Sequence, residues 1–326
     1  MEKRGVMNST QETAIRQPRV QANIDFEAHL RRRRVIQKVV FGIFWLAGIV
    51  AVGILLAVVG YVLLDGAQVL SWEFLFTRPQ GGLEAKGGIS TTIVATFYLV
   101  MLTILIATPL GVGAGIYLVE YAGEMQGRGG WMRRLVGVIR FGVETLAGVP
   151  SIIFGLFGYA LFVTMMKLGF SMISAGLAGA ALVLPVIIRT TEEALLTVPR
   201  SYREGSLALG ATQWQTIWKV VLPAALPGII TGIVLSVGRV VSETAVFYVT
   251  LGGSYYMPPS PILHPQNFLT SGGRTMALHL YYLANDTAAF DKAMGTGAVL
   301  VVTIILINLF INILSNRLRK RLTGEA

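Results

Sequence analysis

The amino-acid sequence predicts an all-α integral membrane protein with six spanning helices and one structured cytoplasmic loop. Two observations carry this. Hydrophobic residues make up 54% of the 326 and charged residues 13%, and several apolar runs exceed the ~18–20 residues that cross a bilayer. Lysine and arginine, in turn, are dense in every second connecting segment. With spans at 39–64, 93–118, 142–166, 169–188, 226–250 and 295–314, the alternate segments hold 21 and 5 basic residues. The dense set contains both termini and the segment between the fourth and fifth spans. The positive-inside rule therefore puts these in the cytoplasm, in a multi-pass protein of the cytoplasmic membrane.

Residues 1–38 have little apolar periodicity and end near the run Arg31, Arg32, Arg33, Arg34, so a disordered or loosely amphipathic tail is expected. The run suits contact with anionic membrane lipid, but a stop on translocation that fixes topology is the preferred reading. The apolar segment 39–64 is too long for a signal-peptide core and lacks a small-residue cleavage site, so it reads as a retained first helix. The net charge of +10 then reflects topology rather than nucleic-acid binding. Without cysteine there is no disulfide framework and no thiolate-held zinc or iron-sulfur site. His29, His264 and His279 are widely separated, and no metal site is expected.

The loop 199–223 is built to fold. Leu207, Ile217, Val220 and Val221 are spaced for burial, Gly210 interrupts them, and Pro199 and Pro223 bracket the unit. Proline starts helices easily but breaks their interiors, and glycine permits a positive φ. Two short helices with a turn near Gly210, closing at Leu222 and Pro223, are the expectation.

The spacing in that loop resembles the coupling-loop signature of ABC importer permeases. Glu204 is followed by Gly210, then Val220, then Leu222 and Pro223, with Gly205 and Ser206 where the family has alanines. Four further stretches resemble phosphate-importer permeases, of the PstA type more than the PstC type: GVGAGIYLVEYAG at 111–123, LAGVPSIIFGLFG at 146–158, GRVVSETA at 238–245 and RTMALHLYYLA at 274–284. The similarity covers roughly residues 87–322. It departs at Val246, where the family usually carries proline. The resemblance implies a type I ABC importer permease fold and a subunit that translocates inorganic phosphate. It also implies a PstC-like second permease, two PstB-like ATPase subunits working with ATP and magnesium, and an external PstS-like phosphate-binding protein. Permeases for molybdate or sulfate, the PstC-type half, and a scaffold of a phosphate-sensing complex are the alternatives. The chain has no G-x-x-x-x-G-K-[ST] phosphate loop, H-E-x-x-H or G-x-S-x-G, so no ATPase or hydrolase site of its own is expected and the energy must come from a partner.

Charges within the spans mark the candidate pathway. Arg239 in the fifth span costs roughly 2.5–3.5 kcal/mol at the bilayer centre unless it meets a partner or a wet cavity. Glu243 follows four residues later on the same face of a continuous helix. The two either form a structural pair or line an anion route, where the guanidinium fork suits phosphate oxygens. Arg140 and Glu144 repeat the spacing at the start of the third span and read as an interfacial pair. Arg189, Glu192 and Glu193 read as solvated or in subunit contacts. Gly111, Gly113, Gly115, Gly148, Gly155 and Gly158, with Pro109 and Pro150, suit close helix packing. The external segment 252–292 is long for a connection, and is expected to fold back on the membrane or meet the binding protein.

The charge asymmetry has a direct test. Cysteines introduced at Asn8 and Gly324 are expected to resist a membrane-impermeant thiol reagent in intact cells, while one at Ser260 reacts; external labelling of both termini overturns the topology.

Overall fold

The computed structural model describes residues 5–80, 86–122, 130–254, 265–287 and 289–323. Pro258, Pro259, Ser260, Pro261, His264 and Gly324 lie outside them. The chain divides into two units, 1–61 and 62–326. The first unit is the bulk of helix α1, Gly5–Ala67. From Ile36 onward its apolar side chains are exposed on every face, Phe44, Leu46 and Leu56 among them, as suits a helix solvated by lipid. The tail, expected to be disordered or loosely amphipathic, is helical from Gly5. Once a span exists, extending it adds one hydrogen bond per residue without a new nucleation step, and the Ala, Glu, Gln and Arg of the tail are good helix formers.

After the last turns of α1, α2 (Trp72–Phe76) and a two-stranded antiparallel hairpin (β1 Pro79–Gln80, β2 Lys86–Gly87) lead into α3, Ser90–Ile116. The α2 start is capped by Ser71, whose Oγ accepts the Phe74 N–H at 3.1 Å. A π turn, Tyr117–Tyr121, ends α3. Then come α4 (Gly130–Ala147), α5 (Ser151–Gly158) with a π turn to Met165, α6 (Met172–Thr197), α7 (Arg200–Ala208), α8 (Gln213–Thr216) with a π turn Ile217–Val221, and α9 (Leu222–Ser242). The chain continues through α10 (Ala245–Thr250), α11 (Pro265–Leu269), α12 (Met276–Asn285) and α13 (Phe290–Thr323).

Among the described residues, five helices are long and apolar enough to span a membrane: Ile36–Ala67, Ser90–Tyr121, Met172–Thr197, Gln213–Ser242 and Phe290–Ile313. The sixth expected span, 142–166, is not one straight helix. It is the pair Arg134–Ala147 and Ser151–Met165, bent by 105°. The break is at Gly148 to Pro150. The Pro150 ring disfavours helical backbone at the residue before it, and Pro150 itself caps α5 with φ −56° and ψ 137°.

α6 is the central helix. Its buried face is small-residue rich, including Ala175, Ala178, Gly179 and Ala180, which lets neighbours approach closely where lipid removes the usual hydrophobic drive for helix association. α3 uses Gly111 against Ile187 and Gly115 against Thr191, while Gly228 on α9 meets Ala194. Leu99, Ala107, Val183, Ile187, Val237, Val240 and Phe247 form the shared core.

A Cβ added at Gly115 would sit 2.7 Å from the Thr191 side chain, whereas one at Gly113 meets nothing within 4 Å. Gly115→Ala is therefore expected to cost about 1–3 kcal/mol by overpacking and Gly113→Ala to be near neutral, measured by thermal melting of the detergent-solubilised protein.

Candidate functional site

The loop between α6 and α9 is a helical hairpin, as the sequence predicts. α7 begins behind Pro199, whose fixed φ suits the cap position. Gly210 makes the turn at φ +83°, a backbone value that L side chains rarely adopt. α8 starts in a capping box: Thr212 Oγ1 accepts the Gln215 N–H at 3.3 Å and Gln215 Oε1 accepts the Thr212 N–H at 3.0 Å. Glu204 and Gly205 are exposed on α7, and Ser206 hydrogen-bonds Thr216 across the hairpin at 2.9 Å. The tip presents apolar surface. Leu209 is 91% exposed and Tyr202, Trp214 and Trp218 are exposed beside it, the two indoles edge to face at 5.4 Å. An exposed apolar patch of this kind on a protruding hairpin suits a protein contact.

The expected close of the loop at Leu222 and Pro223 is corrected. Helix runs without interruption from Gln213 to Ser242, with Val220 inside the π turn and Leu222 and Pro223 in the first α turn after it. Proline lacks the N–H that an α interior needs, but early in the new turn that donor is not required.

The hairpin is tied to the body by apolar packing of Ile217 and Val221 against Ile116, Ala194 and Leu195, and by a residue pair that sequence reasoning passed over. Arg203 grips Glu120, on the π turn of α3, with Nη2 at 2.6 Å and Nε at 3.1 Å from Oε1. The remaining guanidinium donors take the Leu195 and Val198 carbonyls at the end of α6, at 2.9 and 2.8 Å. The Glu120 side chain is 8% exposed and that of Arg203 20%. Removing one partner from a pair this buried typically costs ~3–5 kcal/mol, because the other charge is left without water or counter-ion. Glu120 stood in plain view as a carboxylate at the end of an apolar run, and Arg203 adjoins Glu204; only their meeting across the fold was hidden.

The charges chosen from i,i+4 spacing find other partners. Arg140 does not pair with Glu144. Its Nε donates to Glu192 on α6 at 3.2 Å and its Nη2 to the Leu118 carbonyl at 3.0 Å. Glu144 instead accepts from Arg189 at 2.9 Å, and Arg189 also bonds Glu193 at 3.1 Å. The two helices exchange partners because α4 lies along α6, where cross-helix geometry outweighs the weak i,i+4 attraction. Arg239 and Glu243 do not pair either. α9 ends at Ser242, Glu243 is extended at φ −73° and ψ 127°, and its Oε1 accepts the Val246 N–H at 3.2 Å to start α10. That local bond competes with helix continuation. Arg239 is exposed, and its guanidinium meets no acid among the described residues.

Beyond α9, Arg274 donates to the Gly253 carbonyl at 2.7 Å, lies over the Tyr282 ring at 4.0 Å and approaches His279 Nδ1 at 3.4 Å. Tyr248, Tyr281 and Tyr282 pack ring against ring around it. Burial first, then the nearby Arg274 and Lys292 charges, hold the His279 pKa down at about 4.

Comparison with known proteins places this arrangement. Residues 111–324 match the family described as binding-protein-dependent transport system inner membrane component. The chain belongs to that family. The probable ABC transporter permease YqgI of Bacillus subtilis is 33% identical over 302 residues, covering 90% of this chain and 99% of that one. The phosphate transport system permease protein PstA 1 of Mycobacterium tuberculosis is 32% identical over 285 residues, covering 85% and 87%. A bacterial alginate ABC transporter, solved with an alginate pentasaccharide-bound periplasmic protein, shares the fold at a TM-score of 0.56 and 17% identity, covering 79% of this chain and 87% of that one. This inner membrane component is thus a multi-pass permease of the ABC importer type, and its helical hairpin lies within the matched residues.

His279 lies outside the spans and gives the permease a pH signature. Its pKa is below the ordinary 6.5, so between those values the unfolded chain binds a proton that the folded chain refuses, and stability falls as pH falls. Stability is expected to hold steady above about pH 6.5 and to fall by on the order of 3 kcal/mol toward pH 4, read as a drop in melting temperature. His279→Gln should flatten the drop.

Proposed function

We propose that this chain is the permease subunit of an ATP-driven importer that carries inorganic phosphate inward across the cytoplasmic membrane. A second permease would complete the channel, two cytoplasmic ATPase subunits would supply the energy with ATP and magnesium, and an external binding protein would deliver the anion. The relatives named phosphate permeases support the substrate, and the type I permease fold supports the division of labour.

The observation that carries the reading is the state of Arg239. A guanidinium at membrane depth without an acid partner is costly unless it serves a wet pathway. Its planar set of donors suits tetrahedral oxyanions, and a permanent charge without a fixed counter-ion is available to each anion in turn. Arg239 is the anion contact in this reading. Glu243 sets the break between α9 and α10 beside it, and Arg140 and Glu144 belong to the α4–α6 network at the cytoplasmic end of the route. Glu204, Gly205, Ser206 and Gly210 shape the hairpin whose apolar tip docks on the ATPase, with Val220, Leu222 and Pro223 continuing it into α9.

The test is uptake of labelled phosphate by vesicles containing the whole complex, at matched complex levels. Arg239→Gln is expected to lose about 10- to 100-fold in uptake, the scale of ~1.5–3 kcal/mol of charge-assisted hydrogen bonding, with assembly unchanged. Arg239→Lys should fall between. Near-normal uptake by Arg239→Gln makes Arg239 structural, and stronger competition by sulfate or molybdate than by phosphate reassigns the anion.

A further inference from the structure

α7 contains no buried residue, so apolar packing does not fasten it. Its attachment is polar and specific. The two helices of the hairpin converge on one residue of α3: Arg203 of α7 binds the Glu120 carboxylate, and Gln213 Nε2 of α8 donates to the Glu120 backbone carbonyl at 3.1 Å. That carbonyl lies in the last turn of the helix, where carbonyls look for donors outside the helix. Arg203 at the same time satisfies two end carbonyls of α6, Leu195 and Val198.

From Glu120, α3 runs the depth of the protein. Gly111 and Gly115 hold it in close contact with α6. At its opposite end, Thr96 Oγ1 accepts the Met276 N–H that begins α12, at 2.9 Å. One continuous element therefore joins the hairpin to the far-side segment, and Glu120 is the only residue of α3 that bonds both hairpin helices among the described residues. Glu120 sits within a π turn, Tyr117–Tyr121, a wide turn that occurs often at functional sites and relaxes to α geometry by a one-residue shift.

We propose that Glu120 is the positioning residue through which the coupling hairpin moves the permease body. The ATPase displaces the hairpin tip, the Arg203–Glu120 pair and the Gln213 bond transfer that displacement to the end of α3, and α3 carries it across the membrane. This rests on the permease reading above. Glu120 and Arg203 touch neither anion nor nucleotide, so their loss should separate hydrolysis from transport rather than abolish both.

The experiment uses the complex purified through a tag on this chain, reconstituted with phosphate-loaded external binding protein. ATP hydrolysis and phosphate uptake are measured together and expressed as phosphate moved per ATP. Glu120→Gln is expected to hydrolyse ATP within about twofold of the native complex but to move roughly tenfold less phosphate per ATP, the scale of an allosteric coupling term. Arg203→Lys, which keeps charge but loses the fork, should be intermediate, and the exchange Glu120→Arg with Arg203→Glu should recover part of the ratio. The ratio is read per assembled complex, so a lower yield does not affect it. An unchanged ratio in Glu120→Gln, or hydrolysis and uptake falling in parallel in all three variants, overturns the proposal. Native vesicles that neither take up phosphate nor hydrolyse ATP in response to loaded binding protein overturn the permease reading itself, and this proposal with it.

Discussion

The junction of the hairpin with the ends of α3 and α6 depends on a buried ion pair. Arg203 and Glu120 have left water, and each is tolerable there only because the other is present. Around that pair two helices end, α3 in its π turn and α6 at Thr197, and α7 begins. The two helix C-termini would otherwise leave carbonyls facing a poorly hydrated junction. One guanidinium answers two of them and a carboxylate besides, which is why arginine rather than lysine stands there.

From that junction outward the packing changes character. Within the bilayer the contacts are made by small residues, and α6 serves α3 on one face and α9 on another with scarcely any polar atoms between. The few hydroxyls present, such as Thr96, Thr250 and Ser236, mostly bond backbone carbonyls one turn back, which is how a lipid-embedded helix hides a hydroxyl. Polar chemistry is thereby concentrated at three levels: the hairpin junction, the α4–α6 charge network, and the Arg274 cluster at the far side.

Five of the six spans were legible from hydropathy because each is a long apolar run, and the hairpin was legible because Pro199 and Gly210 are local signals. Charge partners were not. Arg140 with Glu144 and Arg239 with Glu243 have the spacing of helical pairs, yet the first pair exchanges partners with α6 and the second is separated by a break. Spacing encodes what a helix would do alone, while pairing is decided by which helices lie side by side. The same applies to Glu120 and Arg203, 83 residues apart. The break at Glu243 had a local sign, an acid able to cap the next helix, but a hydropathy window averages over it. Gly148 and Pro150 read as packing residues within one span, because a hydropathy window does not register the bend they make.

That 105° bend bears on how the protein is made. α4, upstream of it, is amphipathic and carries Arg140 and Glu144, and charges at the centre of a helix entering the bilayer cost about 2.5–3.5 kcal/mol each. The residues that neutralise them, Arg189 and Glu192, are on α6, which is translated roughly fifty residues later, at ~5–20 residues per second. For seconds, therefore, the nascent α4 lacks the partners that α6 gives it in the folded protein. The charge network of this stretch is complete only once α6 has arrived, so its final geometry is reached out of strict chain order.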